Sequence, residues 1–471
     1  MNDSYESPLT SRYASAFMKT LFSQQKRVET WRRLWVALAR AEHELGLPIS
    51  SEQVEELEAH ISDIDFDLAA QKEKEVRHDV MAHIHAYGKA APSAAGIIHL
   101  GATSCYVTDN GDLILYREGL RYLRSELLNA IKCLAAFADR YKSTPTLGYT
   151  HYQPAQLVTV GKRATLWLQD YLSDLEELDF VLGSMRFLGC RGTTGTEASF
   201  MELFEGDEEK IAELNRRIAE EFGFSECFPV CGQTYPRKLD SRILNCLSSV
   251  AQSAYRMAQD IRLLQHDRQL EEPFEESQVG SSAMAYKRNP MRCERICSLS
   301  RYLMVDAMNA PLTASAQWLE RTLDDSADRR ISLPEAFLCA DSVLRLVRNV
   351  SEGLRVNEMV VEKAVREYLP FIATENLLME AVKRGGDRQQ LHEMIRRCSM
   401  EATAKMKQGG ECDLLTRLAA CPEFGMSLSE MEAVLEPANY IGRCPQQVEE
   451  FLAQLRLPDD VPDTDRSTIA V

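Results

Sequence analysis

Apolar residues recur at spacings of three and four through four long windows of the chain, the period of a helix with one buried face. In 26–46, Val28, Trp31, Trp35, Leu38 and Leu45 share a stripe, and Gly46 with Pro48 supplies the stop expected after it. Over 112–142 the stripe is Leu113, Leu120, Leu123, Leu127, Ile131, Leu134 and Tyr141, with Pro145 beyond. Over 155–187 it is Leu157, Ala164, Leu168, Leu172, Leu175, Leu178 and Met185. Over 237–267 it is Leu239, Ile243, Leu247, Val250, Ala254, Met257, Ile261 and Leu264, in a window with neither glycine nor proline. Helices of about 30 residues run roughly 45 Å, which suits an elongated bundle. Their spacing is that of helices packed at shallow angles. Alternating strand patterns are almost absent, and only short segments such as 226–235 are compatible with extended backbone. The predicted class is all-α.

Three regions follow from this pattern. Residues 1–110 carry shorter helices and a polar run, 111–357 the long helices, and 358–471 shorter helices broken by Gly-Gly at 385–386 and 409–410. The acidic, proline-containing tail "LPDDVPDTDRSTIAV" is expected to fray. Stripes this long exceed what one chain ordinarily covers. An oligomer that shares its helices is therefore expected, with a monomer forming a very regular bundle as the alternative.

Composition narrows the function classes. The chain has 471 residues, 45% hydrophobic and 27% charged, the profile of a soluble globular protein of two or three domains. Its formal net charge of −17 repels polyanions and argues against nucleic acid as a partner. A local arginine cluster could still hold a small anion, because salt screens the distant surface charge. The 13 cysteines include no Cys-x-x-Cys, so reduced, buried thiols are expected rather than a disulfide framework or a zinc site. Neither a signal-peptide pattern nor an apolar run of membrane-spanning length is present, and a cytoplasmic location is expected.

Five stretches are more polar and irregular than helix packing requires. In "TSRYAS" (10–15), arginine and tyrosine read either as surface or as ligand contacts. "VRHDVMAHIHAYG" (76–88) has three histidines, but His78 and His85 would sit about 10 Å apart and His83 and His85 would point in opposite directions, which disfavours a metal. Arg77-His78-Asp79 reads as donor, titratable group and acceptor in sequence, or as a solvated helix start. "HLGATSCYVTDN" (99–110) and "TLGYTHYQPAQ" (146–156) read as Gly-led turns before long helices, where hydroxyls serve as caps. Pro154 suits the first turn of the helix that follows, which places His151 at a loop–helix junction. The fifth stretch is "GSSAMAYKRNPMR" (280–292), whose Asn289-Pro290 closes a non-helical loop. A serine there could be a nucleophile with a separate base, or a base stabilised by backbone N–H groups and Lys287. Neither Gly-x-Ser-x-Gly nor a Walker A loop occurs.

"GSSAMAYKRNP" resembles the signature of the fumarase/aspartase superfamily, Gly-Ser-Ser-x-Met-Pro-x-Lys-x-Asn-Pro, with Ala285 where proline is usual. Proline would stiffen the loop, so Ala285 implies a more mobile one with no reacting group lost. Together with "SPLTSRYAS", "RHDVMAHIHAYG", "HLGATSCYVTDN", "LGYTHYQPAQ" and "YKRNPMRCER", the loop resembles the adenylosuccinate lyases in particular, with motifs in order along nearly the whole chain.

The resemblance implies an all-α, three-domain fold whose long helices form a twenty-helix core in a homotetramer, with active sites shared between subunits. The implied reaction is β-elimination of fumarate from adenylosuccinate or SAICAR, with no cofactor and no metal. It implies Ser281 as base, His151 as acid, Glu294 as the partner of that histidine, and His78 as the second candidate for proton transfer. Lys287 and Asn289 would surround the succinyl carboxylates, with Thr103, Ser104, Thr150 and Gln233 adding hydrogen bonds and Ser282 and Met284 contributing from the loop. Arg12, Tyr13, Arg295, Arg321, Ser326 and Arg330 would hold the nucleotide phosphate and neighbouring groups, with Arg77 and Asp79 in the same pocket. A sibling lyase, such as argininosuccinate lyase or fumarase, and a non-catalytic helical scaffold are the competing readings.

Overall fold

The computed structural model describes residues 4–275, 278, 283–284, 286–458 and 460–465. It is mostly helical. The first long helix, α1 (Gln24–Glu44), starts where Ser23 accepts a hydrogen bond from the Lys26 N–H. Two shorter helices, α2 (Phe66–Val76) and α3 (Asp79–Ala90), meet at Arg77 and His78. Then come α4 (Ser104–Arg140), a hairpin of β1 (Pro145–Thr150) and β2 (Gln153–Thr159), α5 (Val160–Ser184) and α6 (Glu208–Glu221). The bundle is completed by α7 (Lys238–His266), α8 (Met291–Asp306) and α9 (Asp324–Gly353).

Helices α4, α5, α7, α8 and α9 pack side by side around one hydrophobic core, and α1 lies against α4. The predicted stripes face inward: Leu113 through Leu134 in α4 and Leu239 through Leu264 in α7 are buried. Residues 377–431 form a second, separate core around Leu377, Leu391, Leu414 and Phe424. A third small cluster joins Leu147 and Leu157 of the hairpin to Val365 and Leu369.

Two sequence expectations are corrected. The window 155–187 is not helical throughout: α5 begins at Val160 with Thr159 as its cap, and Leu157 and Pro154 lie in β2. The hairpin escaped notice because it is short, carries a proline, and breaks register between Leu147 and Tyr149. At that irregularity a Cβ on Gly148 would lie 2.6 Å from the Gln156 carbonyl oxygen, so only glycine permits the approach. Its two-residue turn is His151-Tyr152, both at positive φ (52° and 57°), in place of the Asn-Gly that ordinarily marks such turns. The segment 99–110 is likewise not a turn throughout. Helix α4 starts at Ser104, and Thr103 occupies the cap position without a side-chain cap bond. Asn110 sits inside this helix because all its hydrogen-bonding capacity is used: it accepts from the Leu188 and Gly189 N–H groups and donates to the Tyr106 and Gly189 carbonyls. In 226–235, the structure has one isolated bridge, Phe187 with Cys227.

Glu42 in α1 is fully buried, and neither carboxylate oxygen has a hydrogen-bond partner among the described residues. Burial pushes its carboxyl up to about 9, so the fold holds a proton that the unfolded chain, with a carboxyl near 4.5, releases. Stability from this proton is full below the unfolded value and is lost as pH rises toward about 9, at up to about 1.4 kcal/mol per pH unit. Glu42→Gln should flatten the fall in denaturant midpoint between pH 5 and 8.5; parallel slopes in variant and wild type would refute a buried, protonated Glu42.

Candidate active site

The three longest helices meet at a knot of buried charge. Arg237, just ahead of α7, makes two hydrogen bonds to Asp109 of α4 at 2.8 and 3.2 Å, and its Nε reaches Asp325 of α9 at 2.6 Å. Arg321 takes the other Asp325 oxygen at 2.7 Å. Arg329 of α9 binds Asp240 of α7 at 2.7 Å, Asp112 of α4 at 3.1 Å and the Tyr235 hydroxyl. Burial alone would raise the Asp325 carboxyl, but Arg237 and Arg321 outweigh it and hold the group below its ordinary value.

Above this floor opens a cavity of about 500 Å³, walled by α1, the start of α3, the first turns of α4, the 233–237 segment and the start of α9. His78, Asp79, Ser104, Gln233, Arg321, Ser326 and Arg330, all predicted from sequence, line it together. His78 caps α3: its Nδ1 accepts the Met81 N–H at 3.4 Å, which leaves Nε2 to carry the proton of the neutral ring and face the Ser104 hydroxyl at 3.2 Å. Arg77 precedes it in left-handed conformation (φ 57°), ending α2 so that the chain can turn into α3. Asp79 pairs with Arg330 at 2.9 Å. Burial pushes the Asp79 carboxyl up, but the Val80 N–H with Arg330 and Arg27 brings it below its ordinary value. The Gln233 side-chain oxygen accepts from the Cys105 thiol at 3.5 Å, and the Gln233 backbone N–H donates to the Glu320 carbonyl at 3.0 Å.

Other predicted residues stand elsewhere in the chain. Thr150 and His151 are exposed at the hairpin tip; the loop–helix junction expected for His151 is instead a tight β-turn. Arg295, near the start of α8, lies over the Tyr13 ring at 5.2 Å, with Arg12 over the same ring at 5.9 Å. Met284 and Lys287 are exposed, Asn289 is half-buried and Glu294 is exposed. Thr103 adjoins Ser104 at the mouth of α4. Ser281, Ser282 and Ala285 lie outside the described residues. His151, Lys287 and Glu294 are not among the described residues lining the cavity.

The three histidines of 78–85 go separate ways. His83 packs edge-on against Trp31 and Phe66, and His85 faces outward. Among the described residues, no group of three or more His, Cys, Asp or Glu side chains could hold a metal ion.

Sequence reasoning missed Arg27, Arg237, Arg329 and Glu272. Arg27 lines the cavity from α1, and a helix-stripe reading assigns it only to the polar face. Asp325 and Arg329 are one turn apart on α9, a spacing that marks a shared face but not a partner. Glu272 had no local signal, because its partners lie about twenty residues on. It is buried, with one oxygen accepting the Arg292 N–H and the other the Cys293 N–H, each at 2.9 Å. The carboxylate thus caps α8 although it lies about twenty residues before it in the sequence. Arg292 adds a bond to Glu275 at 2.9 Å, so both ends of the 273–290 stretch are tied at one place.

Chemically, the cavity offers the planar forks of Arg27, Arg321 and Arg330 beside hydroxyls and an amide, a set that suits an anion with several oxygens. Comparison with known proteins accords with this geometry. A family model described as Lyase matches residues 9–304, and one described as Adenylosuccinate lyase C-terminus matches 370–451. A protein of Schizosaccharomyces pombe named adenylosuccinate lyase is 52% identical, over 95% of this chain and 94% of its own. One of the same name from Saccharomyces cerevisiae is 51% identical, over 96% and 94%. Among solved structures, a fumarate lyase from Mesorhizobium sp. BNC1 shares the fold with a TM-score of 0.79 at 22% identity, over 94% of this chain and 99% of that one. A 3-carboxy-cis,cis-muconate lactonizing enzyme from Pseudomonas putida shares it with a TM-score of 0.80 at 22% identity, over 94% and 97%. Its fold, its motifs and its nearly full-length identity to these relatives place the chain in the adenylosuccinate lyase family of the fumarase/aspartase superfamily.

Proposed function

We propose that the protein eliminates fumarate from adenylosuccinate, giving AMP, and from SAICAR, giving AICAR, in purine nucleotide synthesis. The observation that carries this reading is the cavity where Arg27, Arg321 and Arg330 converge beside His78 and Ser104. Such a pocket can receive a polyanionic nucleotide in a chain whose net charge is −17. Ser281 takes the proton from the carbon next to a succinyl carboxylate, and the resulting dianion is held by Lys287 and Asn289. The C–N bond then breaks, its electron pair passes to nitrogen, and His151 supplies the proton. A hydroxyl is a poor base in water, so the loop must close on the substrate and exclude solvent for Ser281 to act.

Each site is proposed to draw on several subunits of a homotetramer. Two features support this. Within one chain His151, Lys287 and Glu294 are absent from the described lining of the cavity. In addition, Val305, Leu312, Trp318, Leu323 and Ile331 are each more than three-fifths exposed, large apolar side chains that a partner subunit would cover. A cytoplasmic location accords with the absence of any described helix long and apolar enough to cross a membrane.

Purified protein should release fumarate from adenylosuccinate and not from argininosuccinate; turnover of neither would defeat the lyase reading, and turnover of the latter alone would favour the sibling. Ser281→Ala should retain substrate binding and lose turnover by about 100-fold or more, whereas near-normal turnover would remove Ser281 from the base role. Mixing inactive Ser281→Ala and His151→Ala chains, followed by subunit exchange, should restore about a quarter of wild-type sites if the two residues come from different subunits; no recovery in verified hybrids would place both in one chain. Glu272→Gln sets an amide N–H against a backbone N–H at the start of α8, which should cost about 1–2 kcal/mol of stability and lower kcat more than it raises KM. Wild-type kcat in that variant would show that the clasp does not position the loop.

A further inference from the structure

A second groove, of about 270 Å³, opens between α1, α4 and the end of α6 and shares no lining residue with the cavity. Three guanidinium groups converge on it, Arg33 from α1 and Arg117 and Arg121 from α4, beside the apolar side chains of Ile114 and Phe222. Arg117 is only 8% exposed. Its Nη1 donates to the Gly223 carbonyl at 2.6 Å, its Nη2 donates to the Phe222 carbonyl, and the group lies 3.6 Å from the centre of the Phe224 ring. These contacts fix the guanidinium without neutralising it. Burial, and then the neighbouring Arg121, push it down to about 10, so it remains charged at neutral pH.

Arg33 lies over the Phe222 ring at 5.3 Å, and both Arg33 and Arg121 are exposed. Two acids also line the groove, but each has a cation of its own: Glu118 pairs with Lys26 at 3.3 Å, and Glu221 with Arg40 at 3.0 Å. None of the three arginines forms a salt bridge with a described carboxylate. In a chain with 71 acidic residues and 54 basic ones, three guanidiniums around one hollow, none in a salt bridge with a described carboxylate, offer a place for an anion. Their planar forks match the several oxygens of a tetrahedral oxyanion, and the half-apolar wall leaves room for what such a group is attached to.

We propose that this groove is a second anion site, separate from the catalytic cavity, which takes a phosphoryl group, either as free phosphate or on a small phosphorylated molecule. Its walls are shared with the active site. Helix α1 sends Arg27 into the cavity and Arg33 into the groove, and α4 sends Asp112 to one and Arg117 to the other. An occupant that draws Arg33 and Arg121 together therefore acts on the two helices that frame the cavity.

Calorimetric titration of the assembled protein with inorganic phosphate, and separately with AMP, at constant ionic strength counts the sites per chain. The double variant Arg33→Gln/Arg121→Gln should lose one phosphate site per chain or weaken it at least tenfold, with turnover unchanged. Arg330→Gln, in the cavity, should keep that site. The single exposed change Arg121→Gln, which leaves the core untouched, should weaken it in the same direction. Loss of an AMP site in the same double variant would identify a nucleotide phosphate as the occupant, and loss of a phosphate site alone would identify free phosphate. Equal stoichiometry and affinity for both probes in the wild type and the double variant would overturn the proposal.

Discussion

The buried ion network of Arg237, Asp109, Asp325, Arg329, Asp240 and Asp112 is the constraint on which the rest of the site depends. Taking charges out of water is expensive, and an incomplete buried pair typically costs about 3–5 kcal/mol. The network is therefore sensitive to register: a shift of α4, α7 or α9 past its neighbours would leave a charge unpaired in the interior. Apolar packing along the stripes tolerates small slides far better, because it lacks direction. Long, similar helices need such a device to choose one alignment. Its location at the floor of the cavity means that the alignment also sets where Arg321, Ser326 and Arg330 stand.

Around that fixed floor, the remaining candidate groups are carried on elements of different character. His78 sits on a helix cap, where a backbone N–H selects the ring nitrogen that bears the proton. His151 is carried by a turn of two positive-φ residues, held from below by the small core of Leu147, Leu157, Val365 and Leu369. The signature loop is tied at its base by a carboxylate that caps the following helix. Rigid support under an exposed group is what catalysis by positioning requires, since small displacements are costly in rate. The division of these groups among separate parts of one chain is what motivates the proposal that several subunits complete each site.

The acidic surface and the arginine clusters are two solutions to one problem. A strong negative charge favours the solubility of a large helical protein, yet the ligands proposed for it are anions. Local convergence resolves this, because at physiological salt the far surface is screened within about 8 Å while buried or partly buried groups are not. In the cavity, part of the arginine charge is spent on aspartates that hold the fold and part is left for ligand. In the groove of Arg33, Arg117 and Arg121, the nearby acids are taken by other cations and the arginines are left over.

The sequence alone determined the helical class, the stripes of α4, α5 and α7, and the motif residues that now share the cavity, because helix periodicity and short motifs are local properties of the chain. It also carried the family resemblance, which needs only residue order. The tertiary structure alone decided the hairpin under His151, whose turn lacks the usual Asn-Gly, and the early start of α4, whose polar residues are explained by partners 78 to 217 residues away. The roles of Arg237, Arg329 and Glu272 were hidden for the same reason. A charged residue looks like surface until its partner is known. Pairing across long sequence separation leaves no period to read, and it is this pairing, rather than propensity, that places the chemistry.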